Sequence, residues 1–299
     1  MRKGVTTQQG DSALRAEHSG VRAGQQKSGT MPRVAVVTGG ASGIGYALAA
    51  ALMARGDIVT VADIDEQGAT RCAEDLASRY PGQADGAALD VEDAAAVAHM
   101  IQSVKKQHGR LDLVFNNAGI GVGGAADEHT LEHWNRAIDV NLRGVVHGVH
   151  AAYPIMLEQG FGHIVNTASM AGLYPVPHKI AYVTTKYAIV GLSLALRHEA
   201  AKRGVKVSVI CPGYVETPLL DNINPGLPQT TQGARTRERA AREQGRLCLP
   251  EEVAHDVMRG IVRNESVIVT TSTRLAERFA KLSPAIAQWG ASYSTADEV

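Results

Sequence analysis

Cysteine is scarce in this sequence, which argues against a disulfide-rich protein and against a cysteine-rich metal-binding protein. Only three of the 299 residues are cysteine, at Cys72, Cys211 and Cys248. The number is odd and no two are spaced C-x-x-C, so neither a disulfide framework nor a cysteine-rich metal site is indicated. We therefore expect a protein of the reducing cytoplasm, since it has no disulfide framework. We also expect a functional site that holds no metal.

Net charge and long apolar runs are absent as well. Lys plus Arg number 30 and Asp plus Glu number 30, which gives a formal net charge of zero. No global field therefore attracts nucleic acid or anionic lipid. No apolar run approaches the roughly 18 residues that span a bilayer, and the first thirty residues contain no signal-like apolar block. We expect neither a nucleic-acid partner nor a membrane.

Residues 1–31 contain no aromatic residue, and their only large aliphatic residues are Val5, Leu14 and Val21. Burial of so little apolar surface does not offset the entropy of folding, so we predict a disordered N-terminal extension. Met31 directly precedes the first strand-like run. Translation starting at Met31 is a second hypothesis, which the intact mass of the natively expressed protein would test.

Short β-branched runs alternate with helical segments from residue 33 onward. Strands are predicted at 34–38, 58–62, 86–89 (weakly), 113–116, 163–167, 205–210 and 267–270, and helices at 44–55, 66–79, 93–108, 131–159, 180–203 and 251–263. This alternation predicts βαβ units with right-handed crossovers, hence a seven-stranded parallel sheet with helices on both faces. No linker divides the chain, so residues 32–299 are predicted to form a single domain.

A glycine-rich segment lies between the first predicted strand and helix: Thr38-Gly39-Gly40-Ala41-Ser42-Gly43-Ile44-Gly45. Glycines allow a sharp turn and bring backbone N–H groups close to a pyrophosphate, whose charge the helix N-terminus favours. The spacing G-x-x-x-G-x-G departs from G-x-G-x-x-G, and no Lys-Ser/Thr pair follows as in a P-loop. The pattern predicts an anion-binding turn, with a plain strand-to-helix connection as the alternative.

Asp63 stands at the end of the second predicted strand, eighteen residues beyond Gly45. A carboxylate there accepts hydrogen bonds from an adenosine ribose. Its charge also repels a 2′-phosphate, and neither Ser42 nor Ile64, the neighbouring positions for a compensating cation, is Lys or Arg. We therefore expect NAD rather than NADP as the cofactor, with a loop-capping role for Asp63 as the alternative.

Tyr182 and Lys186 are spaced i,i+4 in a predicted helix, so their side chains share one face. A free phenol has a pKa near ~10. We expect the ammonium to lower the pKa of Tyr182 and make the pair a proton-transfer group. Ser169, thirteen residues earlier at a strand end, can bind the same substrate oxygen. Taken alone, the Tyr-x-x-x-Lys spacing is more typical of a half-buried tyrosine beside a solvated lysine, and only Ser169 and the glycine turn favour the catalytic interpretation.

In chain order, these motifs resemble the classical short-chain dehydrogenase/reductase family over residues 33 to about 272. The residues that carry the resemblance are the glycine turn at 38–45, Asp90-Val91, Asn116-Asn117-Ala118-Gly119, Asn141, Ser169, Tyr182-x-x-x-Lys186 and Pro212-Gly213-Tyr214-Val215-Glu216-Thr217. The resemblance implies a doubly wound Rossmann fold, a nicotinamide cofactor and a catalytic tetrad of Asn141, Ser169, Tyr182 and Lys186.

The resemblance also implies a role for each residue. Ser169 would bind the substrate oxygen, Tyr182 would move the alcohol proton, and Lys186 would hold the nicotinamide ribose. Asn141 would anchor a water beside Lys186. Asp90 and Val91 would flank adenine, Asn117 would contact ribose, and Val215 and Thr217 would approach the carboxamide. With the glycine turn and Asp63, the predicted cofactor-binding residues are Gly39, Ser42, Gly43, Ile44, Gly45, Asp63, Ile64, Asp90, Val91, Asn117, Ala118, Gly119, Tyr182, Lys186, Pro212, Gly213, Val215 and Thr217.

Residues 219–249 match the variable region that covers the substrate in this family. Arg235, Arg237, Arg239, Arg242 and Arg246 outnumber Glu238 and Glu243 there. An anionic substrate would suit this excess, but we favour a solvated helix face. The segments 120–124 and 173–176 are predicted to form the other pocket walls, and their apolar character favours a hydrophobic alcohol or ketone.

The sequence therefore predicts an NAD-dependent oxidoreductase that interconverts a secondary alcohol and a ketone, with Tyr182 as general acid and base. One alternative is a carbonyl reductase acting mainly in the reductive direction on an acyl-thioester or sterol-like substrate. Another is a non-catalytic NAD-sensing protein, against which the complete tetrad argues.

By the same resemblance, the predicted helices at 131–159 and 180–203 would pair between subunits of a homotetramer or homodimer. The pairs His129/His133 and His147/His150 have helical spacings that suit zinc, but no cysteine completes either pair.

Overall fold

Seven parallel strands form one continuous sheet in this computed structural model, which describes residues 31–270. The strand order is β3-β2-β1-β4-β5-β6-β7, and every neighbouring pair runs parallel. The strands are β1 (Val34–Thr38), β2 (Ile58–Asp63), β3 (Gln83–Ala88), β4 (Leu113–Asn116), β5 (Gly162–Thr167), β6 (Val205–Cys211) and β7 (Val267–Val269). The predicted seven-stranded parallel sheet is confirmed. The predicted extension at 1–31, Met31 apart, and the part of the predicted domain beyond residue 270 lie outside the described residues.

Helices follow the strands and cover both faces of the sheet. They are α1 (Gly43–Met53), α2 (Glu66–Arg79), α3 (Ala94–His108), α4 (Leu131–Ala137), α5 (Gly144–Gln159), α6 (Ile180–Ala200), α7 (Thr231–Ala234), α8 (Thr236–Gln244) and α9 (Pro250–Val262). Local signals fix several ends: Asp65 and Asp93 cap α2 and α3 through backbone N–H groups, and Gly109 and Gly160 end α3 and α5 with φ of 74° and 73°. None of the helices in the described part of the chain has the length and hydropathy to cross a bilayer.

Two apolar layers hold the helices against the sheet. On one face, α1 and α9 bury Leu48, Leu52 and Val257 against β1 and β2. On the other face, α3 and α5 contribute Ile101 and Met156 to a second cluster. Strand β1 is buried along its whole length. A central parallel strand covered on both sides is expected to be continuously apolar, as the sequence Val-Ala-Val-Val is.

Three elements differ from their sequence predictions. Strand β3 begins at Gln83 rather than at residue 86, because it is an edge strand whose partly exposed residues give no continuous apolar run. The stretch 131–159 is one unbroken helical run, but it contains a π-helical segment, Ile138–Arg143, between α4 and α5. Residues 231–244, expected only as part of a covering region, form α7 and α8.

The strand order reverses between β1 and β4, which lie side by side in the middle of the sheet. In open parallel sheets, ligands bind at such a point, outside the carboxyl ends of the strands. The glycine turn follows β1, Asn117 follows β4, Ser169 lies beyond β5 and Pro212 follows β6. The fold therefore brings four separate motifs of the sequence to one edge.

Candidate active site

A cavity of about 460 Å³ lies at this edge of the sheet. All of the predicted cofactor-binding residues except Gly45 line it, and so do Ser169, Tyr182 and Lys186 of the predicted tetrad. Asn141 does not line it. The structure thus gathers into one cavity residues that the sequence separates by more than 170 positions, from Gly39 to Thr217.

The glycine turn has the geometry of an anion cradle. Gly39 and Gly43 have φ of 63° and 51°, a region that other residues rarely adopt. A Cβ on Gly45 would lie 2.0 Å from the Gly39 carbonyl oxygen, so Gly45 serves the packing of the turn rather than the cavity wall. Ser42 precedes α1 without capping it through its side chain. The first N–H groups of α1 therefore remain available to a phosphate, and the turn fits a dinucleotide.

Asp63 faces the cavity from the end of β2 and also braces the turn. One carboxylate oxygen accepts the N–H of Ala41 at 3.0 Å, and the other accepts the N–H of Asp65 at 3.1 Å. The capping alternative is therefore realised in the structure. It does not compete with ribose binding, because each carboxylate oxygen can accept more than one hydrogen bond. The adjacent Ile64 side chain is 66% exposed and offers no charge to a 2′-phosphate.

Thr38 and Asn117 connect the glycine turn to β4. The Thr38 hydroxyl accepts the N–H groups of Asn117 and Ala118 at 2.9 and 3.0 Å. The Asn117 side chain donates to the carbonyls of Thr38 and Gly39 at 3.1 and 3.3 Å. Asn117 thus has a structural task beside its predicted ribose contact, which stays a prediction.

Tyr182, Lys186 and Ser169 lie close together in the wall of the cavity. The Lys186 ammonium lies 5.4 Å from the centroid of the Tyr182 ring and donates to the Thr167 carbonyl at 3.0 Å. Ser169 hydrogen-bonds the Tyr182 side chain. The i,i+4 spacing on α6 therefore places the phenol and the ammonium on the same side, and the end of β5 supplies the hydroxyl. This trio can bind a carbonyl or alcohol oxygen and exchange a proton with it.

The expectation of a lowered pKa for Tyr182 is wrong. Burial raises the pKa of Tyr182, an effect that the hydrogen bond from Ser169 opposes. Burial also lowers the pKa of Lys186 to about 8. The low-polarity surroundings disfavour both charged forms, and this effect exceeds the attraction between them that the sequence analysis considered.

Asn141 lies in the π-helical segment and is fully buried. Its amide is anchored to one residue: the side-chain oxygen accepts the N–H of Ile120 at 2.8 Å, and the side-chain nitrogen donates to the Ile120 carbonyl at 3.1 Å. A Cβ on Gly119 would lie 3.0 Å from the Asn141 oxygen and 3.7 Å from the Lys186 nitrogen. Asn141 therefore fixes the loop after β4 close to Lys186, and its predicted water contact remains untested.

Two groups of residues supply most of the cavity walls. We call the walls from the glycine turn, Asp63, Asp90 and Asn117 the cofactor half, and those from Tyr174, Val176, Lys179, Tyr214 and Leu219 the substrate half. The predicted apolar walls contribute Ile120, Tyr174 and Val176. The sequence pattern did not single out Lys179, which is the N-cap residue of α6, three positions before Tyr182.

The arginine-rich segment is only in part the solvated helix face that we expected. Arg237 forms ion pairs with Glu216 and Asp221, and Arg246 pairs with Glu252. Arg239, by contrast, is 5% exposed and donates to the Gln232 side chain at 2.5 Å. The expectation is wrong for Arg239, because the side of α8 that carries Arg239 packs against the protein interior.

One histidine of each predicted pair has hydrogen-bonding partners in the protein. His133 contacts the Thr130 hydroxyl and the Pro228 carbonyl, each at 2.9 Å, and stacks on His129 at 5.3 Å between ring centroids. His147 contacts the Val91 carbonyl at 2.9 Å. Within residues 31–270, no three His, Cys, Asp or Glu side chains are grouped as metal ligands.

Comparison with known proteins gives concordant similarities. A family model described as short chain dehydrogenase matches residues 33–228. A putative ketoacyl reductase of the monensin polyketide synthase from Streptomyces virginiae is 37% identical over 229 residues, covering 74% of this chain and 87% of that protein. Cyclohexanol dehydrogenase from Acinetobacter sp. strain SE19 is 33% identical over 241 residues, covering 80% of this chain and 91% of that protein.

Among solved structures, a short chain dehydrogenase/reductase from Burkholderia phymatum in complex with NAD has the same fold. It superposes with a TM-score of 0.77 at 33% identity, covering 85% of this chain and 95% of that one.

Proposed function

This chain belongs to the short-chain dehydrogenase/reductase family of oxidoreductases, and we propose that it interconverts a secondary alcohol and a ketone with NAD as the hydride carrier. The observation that carries the proposal is the position of the Tyr182 phenol. It lines the same cavity as the glycine-rich cofactor half and the substrate half, with Lys186 5.4 Å from its ring centroid and Ser169 hydrogen-bonded to it.

Each residue of the trio has a distinct task in the proposed reaction. NAD, when bound, supplies the carbon that accepts the hydride from the alcohol. Ser169 donates a hydrogen bond to the substrate oxygen and holds it beside the phenol. Tyr182 removes the alcohol proton in the oxidative direction and returns it in the reductive one. Lys186 provides the positive charge that stabilises the Tyr182 phenolate.

The choice of NAD over NADP rests on the Asp63 carboxylate. Its two hydrogen bonds to Ala41 and Asp65 hold it at the cavity wall, and Ile64 offers no cation beside it. A 2′-phosphate there would meet an uncompensated negative charge, whereas two ribose hydroxyls would find an acceptor.

A panel of secondary alcohols, apolar and oxygenated, assayed by absorbance with NAD and with NADP in turn, tests the proposal. We expect turnover with NAD and at least tenfold lower kcat/KM with NADP. Equal use of both cofactors would remove the Asp63 argument. If no alcohol is oxidised with NAD and no ketone is reduced with NADH, the result would favour a protein that senses NAD without catalysis.

The reductive direction is the second candidate, and one similarity favours it: the relative from Streptomyces virginiae is described as a putative ketoacyl reductase. The same three residues serve both directions, since a group that accepts a proton in one direction donates it in the other. Measurement of kcat/KM for matched alcohol and ketone pairs, including an acyl thioester, decides between them.

We also propose a cytoplasmic homo-oligomer. The three cysteines are not joined by disulfides, which suits a reducing compartment. Leu131, Val146 and Tyr187 are exposed on α4, α5 and α6, the helices that we expect to pair. Light scattering should give a mass of two or four chains, and a monomer at micromolar concentration would contradict the expectation.

A further inference from the structure

A lysine ammonium is buried in the substrate half of the cavity. Lys179 is only 9% exposed and lines the cavity, three residues before Tyr182. Lysine side chains are almost never buried to this extent without a partner for their charge. In the described structure, the ammonium lies over the Tyr214 ring, 4.7 Å from its centroid. This cation–π contact stabilises part of the positive charge. It does not provide a hydrogen-bond acceptor for all three N–H groups of the ammonium.

The charges around Lys179 do not neutralise it. Arg239 and Glu243, both on α8, are the charged side chains that influence it most, and they have opposite signs. The Glu243 carboxylate accepts a hydrogen bond from the Tyr214 hydroxyl at 2.9 Å. Among the described residues, therefore, the nearby carboxylate bonds to a phenol and forms no ion pair with Lys179.

The backbone holds Lys179 in place. His178, directly before it, has φ of 59°, a left-handed conformation that is unusual for a residue other than glycine. The His178 carbonyl accepts the N–H of Gly124 at 2.9 Å, which ties this strained residue to the loop after β4. Strain of this kind persists where the surrounding structure enforces it, and it is concentrated at functional sites.

The start of α6 adds to the positive field. Lys179 is the residue from which this 21-residue helix begins, and no side chain caps its first turn. The N-terminus of a helix carries a partial positive charge within that turn. The ammonium and the helix terminus therefore act together on a negative group bound beside them, one helical turn from the Tyr182 phenol.

We propose that Lys179 is a substrate-binding residue that selects alcohols and ketones bearing a carboxylate. This inference rests on the proposed function and names its substrate class as hydroxy acids and oxo acids. The apolar walls from Ile120, Val176 and Leu219 would contact the carbon chain, and the ammonium would bind the carboxylate. The substrate is then amphiphilic rather than purely hydrophobic.

The first test measures binding without turnover. Pentanoate and its uncharged analogue pentanamide are titrated by calorimetry into the full-length protein saturated with NAD. We expect the wild type to bind pentanoate at least tenfold more tightly than pentanamide. Lys179→Met should reduce this preference to less than threefold, Lys179→Arg should retain most of it, and the exposed control Lys202→Met should leave it unchanged. Equal affinities in the wild type, or a preference that survives in Lys179→Met, would overturn the inference.

The second test uses turnover. Straight-chain hydroxy acids with the hydroxyl one to four carbons from the carboxylate are compared with their methyl esters, as ratios of kcat/KM. The acid-to-ester ratio should exceed ten for at least one chain length and should fall at least tenfold in Lys179→Met. Turnover of esters without preference for acids would overturn the role of Lys179 alone, whereas failure of the proposed oxidoreductase function would leave the calorimetric preference intact. Melting temperature and NAD affinity establish that each variant is folded.

Discussion

The two halves of the cavity are built in different ways. The cofactor half consists of short motifs at the carboxyl ends of strands β1, β2, β3 and β4, and several of its polar groups are bonded to one another, as Thr38 is to Asn117 and Asp63 to Ala41. The substrate half combines the loop and helix start at 174–179 with the segment 214–244, which lies far away in sequence. It contains a buried lysine with one ring contact. In one half the polar side chains are bonded to the protein before a ligand arrives, and the other contains a charge that a ligand can neutralise.

This difference is informative about specificity. A half made of backbone turns and one carboxylate suits a ligand that many related oxidoreductases share, because its contacts are with phosphates and ribose. A half made of side chains from distant segments can change without disturbing the turn. Residues that distinguish this chain from its relatives in substrate choice are therefore expected in the second half, at positions such as Lys179 and Tyr214.

The largest expected effect separates chemistry from cofactor binding. Replacement of Tyr182 by Phe removes the proton-transfer group, and a general acid or base contributes about 10²- to 10⁴-fold to rate. We expect kcat to fall by about a thousandfold, while NAD affinity changes less than twofold, because the glycine turn is untouched. Stopped-flow and NAD titration measure the two quantities. The control is Tyr187→Phe on the exposed side of the same helix.

A loss of NAD affinity in Tyr182→Phe that matched the loss of rate would show that the two halves are not independent. Substantial residual turnover would instead contradict the role given to the phenol.

The next effect in size concerns the cofactor half alone. In the double variant Asp63→Ala/Ile64→Arg, a repulsive charge is removed and an attractive one is added near the 2′-phosphate position. A close charged contact is worth about 2–3 kcal/mol, so the NAD-to-NADP ratio of kcat/KM should fall by about a hundredfold. Asp63→Asn, which retains an acceptor for the Ala41 N–H, separates the loss of charge from the loss of the brace.

Because this double variant changes only residues of the cofactor half, we expect it to keep the substrate preference of the wild type. An altered acid-to-ester ratio of kcat/KM would contradict this expectation.

The smallest effect is a pH dependence of the substrate half. Burial, with a contribution from Arg239, lowers the pKa of Lys179 to about 8, so its ammonium is present below that pH and lost above it. Glu243 opposes this shift, and Tyr174 and Tyr214 face the group with pKa values raised by burial. The acid-to-ester ratio of kcat/KM should therefore fall by up to about tenfold per pH unit above 8.

The ester supplies the control for this profile. Lys186, whose pKa is also about 8, affects the turnover of acids and esters alike, so their ratio isolates Lys179. A ratio that stays constant between pH 7 and 9.5, or one that changes equally in Lys179→Met, would contradict the prediction.

The sequence predicted the sheet well because central parallel strands are continuous apolar runs that need no knowledge of their neighbours. It was least accurate at β3, where an edge strand exposes alternate residues, and at 231–244, where α8 buries Thr236, Arg239 and Ala240 rather than an apolar stripe. The π-helical segment around Asn141 also escaped prediction, because one extra residue in a helical turn leaves no compositional signal.

By itself, the sequence determined the parallel sheet, the glycine turn, the carboxylate at Asp63 and the shared helix face of Tyr182 and Lys186, because each depends on spacing within one strand, turn or helix. Only the tertiary structure decided the raised pKa of Tyr182, the inward side of α8 and the burial of Lys179 against Tyr214. The physical reason is that dehydration of a charged group depends on every atom that surrounds it, and those atoms come from segments that meet only after folding.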